Sequence, residues 1–463
     1  MEEPRQGSSP ISAGSAAEKP TYVRFKVLGF AASLALVAYV HRVGFASVGT
    51  DVRGDLALDE RQWSTVHASF LVAYALFEMP WGRLGDRMGT RHLLTIMALG
   101  WSLMTALTAW LGAQAPEGSK ASFLALVLLR FLFGAFQAGA FPAISRVVAD
   151  WMPLESRATA QGLIWMSSRI GGAAAPLVLI PMVNSGMDWT WALALVSTAG
   201  IAWSLAFWPW FRDRPGEMRS VNAAERERIA TGRASHSAAH GAMPWKLLFG
   251  SRSVWFLCLM YGCSGFSASF FVTGLPDYLR THRGLTPDEM KWATSLPLAF
   301  GIAACLAGGI ISDWVLRRTG SRRWSRSLIG LVGAAGAGLA LFSTNLVEEK
   351  WQLGVLLCLS FVLFDFTMGP AWAACADIGE RHAGILGGAM NMFGSLGGAA
   401  GALFAGTFLG QEIILPLSGR GGEALTVAGN DIVFAGFACS FWLAALLWLG
   451  VNPARSLEGE ARE

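Results

Sequence analysis

Residues 74–92 read YALFEMPWGRLGDRMGTRH. The stretch begins as the end of a long apolar run and turns abruptly into Gly82, Arg83, Gly85, Asp86, Arg87, Gly89 and Arg91. An apolar helix leaves a membrane here and the chain turns back at once. Gly85 and Gly89 permit a tight turn and close backbone approach. Arg83, Arg87 and Arg91 put the loop on the cytoplasmic side, because short cytoplasmic loops collect Lys and Arg. Asp86 is the one acid among these cations, placed where it can reach a neighbouring helix end or an Arg. The stretch reads either as an ordinary basic loop or as a short loop that locks one conformation of a protein that changes shape.

Working outward, the membrane reading holds along nearly the whole chain. Of 463 residues, 53% are hydrophobic and 15% charged, with a mean hydropathy of +0.43; a soluble domain carries about 25% charged residues. Runs of about 20 apolar residues, each long enough to span a bilayer, recur roughly twelve times. They lie near 27–48, 63–82, 93–113, 121–149, 158–183, 189–210, 253–279, 291–316, 327–345, 351–376, 383–410 and 430–451. Nothing remains for a soluble catalytic domain. There is no metal-ligand pattern, no nucleophile motif, and no G-x-x-x-x-G-K-[ST] phosphate loop. The reading is therefore not an enzyme, with no cofactor, no metal and no nucleic-acid partner. The six cysteines all fall inside spans without a C-x-x-C pair and read as small packing residues.

Charge placement orients the chain. With both termini inside, cytoplasmic segments hold roughly 24 Lys and Arg, outer loops roughly 8, and four lie within spans. The expected organisation is a disordered cytoplasmic tail over 1–22, a six-helix half over 23–211, a cytoplasmic linker over 212–250, a second six-helix half over 251–452, and a cytoplasmic tail over 453–463. Within the linker, Asn222 to Ala230 predicts a short solvated helix, capped by Asn222 with Glu225 at the third position. The halves echo each other: Gly309 to Asp313 repeats the spacing of Gly82 to Asp86, and Arg317, Arg318, Gly320, Arg322 and Arg323 follow. The chain reads as an all-α membrane protein with twelve transmembrane helices in two pseudo-symmetric halves, a monomer whose surroundings are lipid.

Charges inside spans are costly and are usually functional. Arg42 sits mid-span in ALVAYVHRVGFASV, too deep to snorkel easily to either surface. Arg130 opens LRFLFGAFQAGAFPA and Arg169 sits in IWMSSRIGGAAAP. Arg146 is nearer the cytoplasmic end, either an interfacial anchor or part of a gate. Arg42, Arg130 and Arg169 put three cations in one half without three matching acids. A cavity with unpaired guanidinium groups suits a carboxylate, which Arg grips in a bidentate way. Trp63, Trp151, Trp189, Trp245 and Trp351 lie near span ends and read as interface anchors.

The opening stretch resembles the G-x-L-x-D-R-x-G-x-R signature of the major facilitator superfamily, through Gly82, Leu84, Asp86, Arg87, Gly89 and Arg91. More narrowly, the chain resembles the anion:cation symporter family. Tyr39 to Arg42 is similar to its N-Y-x-D-R motif. The fourth span resembles R-x-x-x-G-x-x-E-x-x-x-F-P, followed by Trp151, Pro153 and Arg157. GPAWAACADIGERHAGILGGAMNMFGSLGG resembles G-P-x-W…D-I…G-x-x-x-G-x-x-N-x-x-G-x-x-G-G. The resemblance implies the two-half fold, a bacterial inner-membrane location, and uptake of organic anions such as sugar acids with a proton or sodium ion. It implies substrate binding by Tyr39, Arg42, Tyr74, Trp372 and Asn391, and places Arg169 where members often carry Gln. Two positions depart: His41 and Gln137 stand where the family has acids used for proton coupling. The remaining coupling candidates are His41, Glu78 and Asp365. An imidazole titrates near pH 6.5, so His41 is either a proton carrier or a neutral packed residue. Glu78 is near the cytoplasmic end, within reach of the basic loop. Asp365 can hold a proton or a sodium ion, or neutralise an Arg of the other half. Uncoupled diffusion or exchange of anions stays open, and so does a drug exporter of the same fold.

Overall fold

The computed structural model describes residues 18–116, 118–231, 245–271, 275, 278–279, 285–409, 411–416 and 424–457. Most of the expected 1–22 tail, the middle of the linker and the last residues of the 453–463 tail lie outside them. The apolar runs form helices because no backbone group in hydrocarbon can be left without a partner. In chain order they are α1 (Val23–Ser47), α2 (Glu60–Met88), α3 (Thr90–Gln114), α4 (Lys120–Gln137, resuming as Ala140–Trp151), α5 (Arg157–Asn184) and α6 (Trp189–Trp210). The second half holds α7 (Arg252–Ser269), α8 (Pro287–Thr319), α9 (Arg322–Ser343), α10 (Lys350–Phe366, resuming as Met368–Gly379), α11 (Ala383–Phe408) and α12 (Gly429–Trp448).

The breaks in α4 and α10 share one cause. A proline ring collides with the carbonyl four residues back and has no N–H to donate. Pro142 sits four residues after Ala138, and Pro370 four after Phe366, where the two helices are interrupted. Packing repeats between the halves in the same way. α1 lies on α5 as α7 lies on α11, α3 on α6 as α9 on α12, and α2 on α4 as α8 on α10. The halves meet chiefly along α2 with α11 and α8 with α5, with the second piece of α10 packed on α5 and that of α4 on α11.

Three local features differ from the sequence reading. First, α2 does not end at Gly82 but runs to Met88, and the turn is made by Gly89 at φ +89°. Gly82 and Gly85 stay helical. Second, an antiparallel hairpin, β1 (Glu412–Pro416) with β2 (Ala424–Ala428), joins α11 to α12. Third, the linker helix Ala223–Ala230 is capped by Asn222 as expected but is not a solvated appendage. Glu225 is fully buried and accepts from Arg24 Nη1 at 2.7 Å and from the backbone N–H groups of Tyr22 and Arg24. Its carboxylate caps the orphan amides at the start of α1. Two of the expected surface anchors are interior: Trp151 is fully buried against Phe211, and Trp189 donates to Asp55.

Candidate functional site

A cavity of about 260 Å³ lies between the halves, walled by α1, α2 and α5 on one side and by α7, α10 and α11 on the other. Its polar wall is Tyr39, Arg42, Tyr74, Arg169, Tyr261, Asn391 and Ser395, set among Trp165, Phe361 and Phe364. Helical spacing selects these residues. Tyr39 and Arg42 are three apart, Asn391 and Ser395 four apart, so each pair shares a face.

Arg42 is held without a countercharge. Its Nε donates to Gln137 Oε1 at 2.7 Å, and Gln137 Nε2 donates to the Ala38 carbonyl at 2.8 Å. The amide is thus fixed at both ends. The guanidinium lies against Tyr74, Tyr39 and Phe70, 4.5, 4.9 and 5.2 Å from the ring centroids. Desolvated cation–π contacts of this kind contribute about 2 kcal/mol. None of these partners is a carboxylate, and among the described residues Nη2 has no hydrogen-bond partner. Gln137 was legible only as a departure from a motif; in space it aims the cation.

Arg169 is not the unpaired cation that the sequence suggested. Its Nη2 and Nε donate to Asp365 Oδ1 and Oδ2 at 2.6 and 3.0 Å, a bidentate pair joining α5 to α10 across the halves. The expectation of three unpaired cations fails here, whereas the alternative given for Asp365, neutralising an Arg of the other half, is what the structure shows. Arg130 is also removed from the cavity wall. It is buried, with its guanidinium 4.2 Å from the Phe45 ring and 4.3 Å from the Phe133 ring. Arg130 and Gln137 are two turns apart on α4, about 10 Å along the axis; Gln137 bonds Arg42, while Arg130 meets it only across the Phe70 ring that both touch.

The coupling candidates separate. His41 is adjacent to Arg42 in sequence but on another face of α1. It is fully buried, donates from Nδ1 to the Val37 carbonyl at 2.9 Å, and presents Nε2 to Ser102 Oγ at 3.4 Å. It packs against α3 and lines no part of the cavity. Asp365 is occupied by Arg169. Glu78 does not reach the basic loop. It is fully buried and faces α11, where Asn391 Nδ2 and Ser395 Oγ donate to its Oε1 at 2.7 and 3.0 Å. Asn391 Nδ2 also lies 3.4 Å from Tyr74 Oη. Trp372 stands behind the wall: fully buried, it donates from Nε1 to Tyr261 Oη at 3.0 Å. Tyr261 itself was missed. A usable signal existed, since the chain has five tyrosines and three of them, Tyr39, Tyr74 and Tyr261, line the cavity.

The end of the bundle that carries both termini is tied shut across the halves. Asp86 accepts from the backbone N–H groups of Gly384 and Ile385 at 3.2 and 2.9 Å, the start of α11, with Arg146 Nη1 3.8 Å away. Asp313 does the same to α5: it accepts from Ala158 N at 3.3 Å and from Thr159 N and Oγ1 at 2.7 Å. A carboxylate at a helix N-terminus satisfies orphan amides and complements the dipole. Gly82 and Gly309 sit one turn before each acid. A Cβ at Gly82 would strike the Gly384 carbonyl, and one at Gly309 the Ala158 carbonyl. The shared Gly-x-x-x-Asp spacing is therefore a docking geometry. Beneath it, Arg157 and Arg326 reach Asp377 at 2.7 and 3.4 Å, and Arg326 reaches Asp313 at 2.6 Å. Arg91 donates to the Trp208 carbonyl at 2.8 Å and lies on its ring, Arg317 donates to the Glu155 carbonyl at 3.2 Å, and Arg87 is exposed.

Comparison with known proteins gives a consistent family. Residues 29–402 match the model described as Major Facilitator Superfamily. The chain is 31% identical over 383 residues to the "Probable sulfoacetate transporter" of Cupriavidus necator, covering 82% of this chain and 86% of that one. It is 28% identical to the "Probable galactarate/D-glucarate transporter" of Escherichia coli, covering 87% and 91%. It is 24% identical to the "Hexuronate transporter" of Bacillus subtilis, covering 87% and 90%. Among solved structures, a proton:xylose symporter superposes with a TM-score of 0.70 at 15% identity, covering 95% of this chain and 98% of that one. The human organic anion transporter MFSD10 superposes with a TM-score of 0.64 at 14% identity, covering 92% and 99%.

Proposed function

This chain belongs to the major facilitator superfamily, a family of transporters and not of enzymes, and from that premise we propose that it carries a small organic anion across the membrane by alternating access. The observation that supports this reading is Arg42. It is a cavity cation aimed by a neutral amide, cushioned by rings, with a donor to spare and no carboxylate bound to it. Arg169 is already matched by Asp365, so among the described residues of the cavity wall Arg42 is the cation left unspent. That favours a carboxylate or sulfonate, and the names of the relatives agree. Tyr39, Tyr74, Asn391 and Arg169 complete the binding wall. The excess of Lys and Arg at the termini-bearing end supports cytoplasmic termini, and the bacterial relatives support a bacterial inner-membrane location; the chain is taken to act as a monomer.

Import by proton or sodium symport is the leading form of this reading. Uncoupled exchange is the second, favoured by Gln137 standing as an amide against Arg42. A drug exporter fits poorly, because exporters of cations place acids in the cavity. The test is a thermal-shift screen of purified protein with sulfoacetate, D-glucarate, D-galactonate and a hexuronate, beside neutral xylose. A ligand present at about 100 times its Kd stabilises the folded state by about 2.7 kcal/mol. At least one anion is expected to raise the Tm. A rise with xylose and with none of the anions sinks the assignment.

A further inference from the structure

The two acids that the resemblance expects are absent, and the geometry removes two of the three substitutes. His41 is packed into the α1–α3 interface, and Asp365 is committed to Arg169. Glu78 remains, and its surroundings are unusual. Both donors that reach it among the described residues, Asn391 Nδ2 and Ser395 Oγ, converge on Oε1, while Oε2 is buried with no partner among them. That is the pattern of a neutral carboxylic acid, with Oε1 as the carbonyl oxygen and Oε2 as the hydroxyl. A carboxylate would call for donors on both oxygens. Both donors are also cavity-lining residues, so the acid sits one hydrogen bond behind the binding wall. They belong to α11 and Glu78 to α2, so the bonds bridge the halves that must separate during transport.

We propose that Glu78 is the proton-carrying residue that couples transport of the anion to proton movement. The proposal rests on the anion-transport reading above. One proton is bound per cycle: Glu78 carboxylate plus a proton gives the acid, and release regenerates the carboxylate. The charged groups around Glu78 decide the direction of coupling. Arg42 and Tyr39 face this corner from α1, and Tyr74 from α2. From α11 come only the neutral Asn391 and Ser395. From α4 come Gln137, bonded to Arg42, and Arg130, stacked on Phe45 and Phe133; the second piece of α4 brings Arg146, engaged with Asp150. Among the described residues, Arg42 is the cation without a carboxylate partner that faces both this corner and the cavity; Arg130, also without one, lies behind the Phe70 ring that both guanidiniums touch. An ionised Glu78 competes with the substrate for the field of Arg42, and a protonated Glu78 leaves that field to the substrate. Anion and proton therefore bind together, and anion binding weakens as pH rises through the deprotonation of Glu78.

Two measurements on the full chain test this. The first needs no substrate. Infrared spectra of wild type in lipid, titrated with pH, are compared with Glu78→Gln, which keeps the donor and acceptor pattern of the acid. The carbonyl band of a protonated carboxyl, lost as pH rises, is expected in wild type and absent from the variant. Ser395→Ala removes one donor from the same carbonyl oxygen and should move that band to higher frequency, which covers the case in which Glu78→Gln does not fold. Identical bands in all three proteins overturn the proposal. The second uses proteoliposomes and labelled sulfoacetate or D-glucarate. Wild type should accumulate the anion up to about tenfold per unit of imposed pH gradient for each proton coupled. Glu78→Gln should exchange internal for external anion at a rate within a few-fold of wild type, yet accumulate none. Accumulation by Glu78→Gln overturns the proposal. If the infrared band behaves as expected but neither anion binds or moves with wild type, the substrate reading has failed and the proton site stands.

Discussion

At the scale of single residues, this protein turns on where a guanidinium finds its partners. Arg169 has a carboxylate, Arg130 has aromatic rings, and Arg42 has an amide and rings. Only the last leaves a cavity charge for a ligand. Arg42→Ala is expected to insert and fold, because no ion pair is broken, and to lose the anion-induced rise in Tm. A wild-type response from correctly folded Arg42→Ala would remove the residue from the binding site. Arg42→Lys should also fail, with affinity at least tenfold lower. Lys cannot keep the planar fork, donate to Gln137 and grip an anion at the same time. The same scale shows a limit of sequence reading. Arg42, Arg130 and Arg169 are all mid-span arginines in one apolar half, and nothing in their local sequence separates the paired from the unpaired.

At the scale of elements, the two principal helix pairs between the halves are locked by the same device. A glycine lets α2 and α11, or α8 and α5, touch backbone to backbone, and an aspartate one turn later caps the partner helix. This layer lies outside the cavity, so weakening it should change the balance of conformations more than binding. Asp86→Asn is expected to leave equilibrium anion affinity within a few-fold while slowing turnover. Asp313→Asn should behave alike but lose more stability. It leaves the buried Arg326 with Asp377 alone, and breaking a buried pair costs about 3–5 kcal/mol. Uptake rate and equilibrium binding measured on the same preparations decide. A large loss of affinity with unchanged turnover per bound ligand would place Asp86 in the binding site instead. Glu225, buried against the start of α1, extends the clamped layer into the linker.

At the scale of the whole molecule, the hydrogen bonds between the halves among the described residues lie at the termini-bearing end and at mid-depth. With the termini cytoplasmic, the cavity is expected to be closed to the inside and reached from outside. Ala268 is a small, partly exposed residue of the cavity wall. Ala268→Cys in intact cells should therefore react with a membrane-impermeant maleimide, at a rate well above that of the parent chain with its six cysteines. A bound anion should slow the reaction. Labelling only from the cytoplasmic side, in inverted vesicles, would reverse the assignment.

The sequence by itself determined the membrane class, the helical spans and the duplicated halves, and it carried the resemblance to a transporter family, which implied Tyr39, Arg42, Tyr74, Trp372 and Asn391 as a group; all of these but Trp372 line the cavity. Those properties follow from apolar run length and from motifs short enough to lie on one helix. Tertiary structure decided the pairing. Asp365 meets Arg169 across 196 positions, Asn391 meets Glu78 across 313 and Ile385 meets Asp86 across 299. The facing of His41 away from its neighbour Arg42, the removal of Arg130 from the wall and the hairpin between α11 and α12 were likewise settled only in space. The physical reason is that a buried charge is defined by whatever stands within a few ångströms of it. In a two-half bundle, those neighbours come from the other half of the chain.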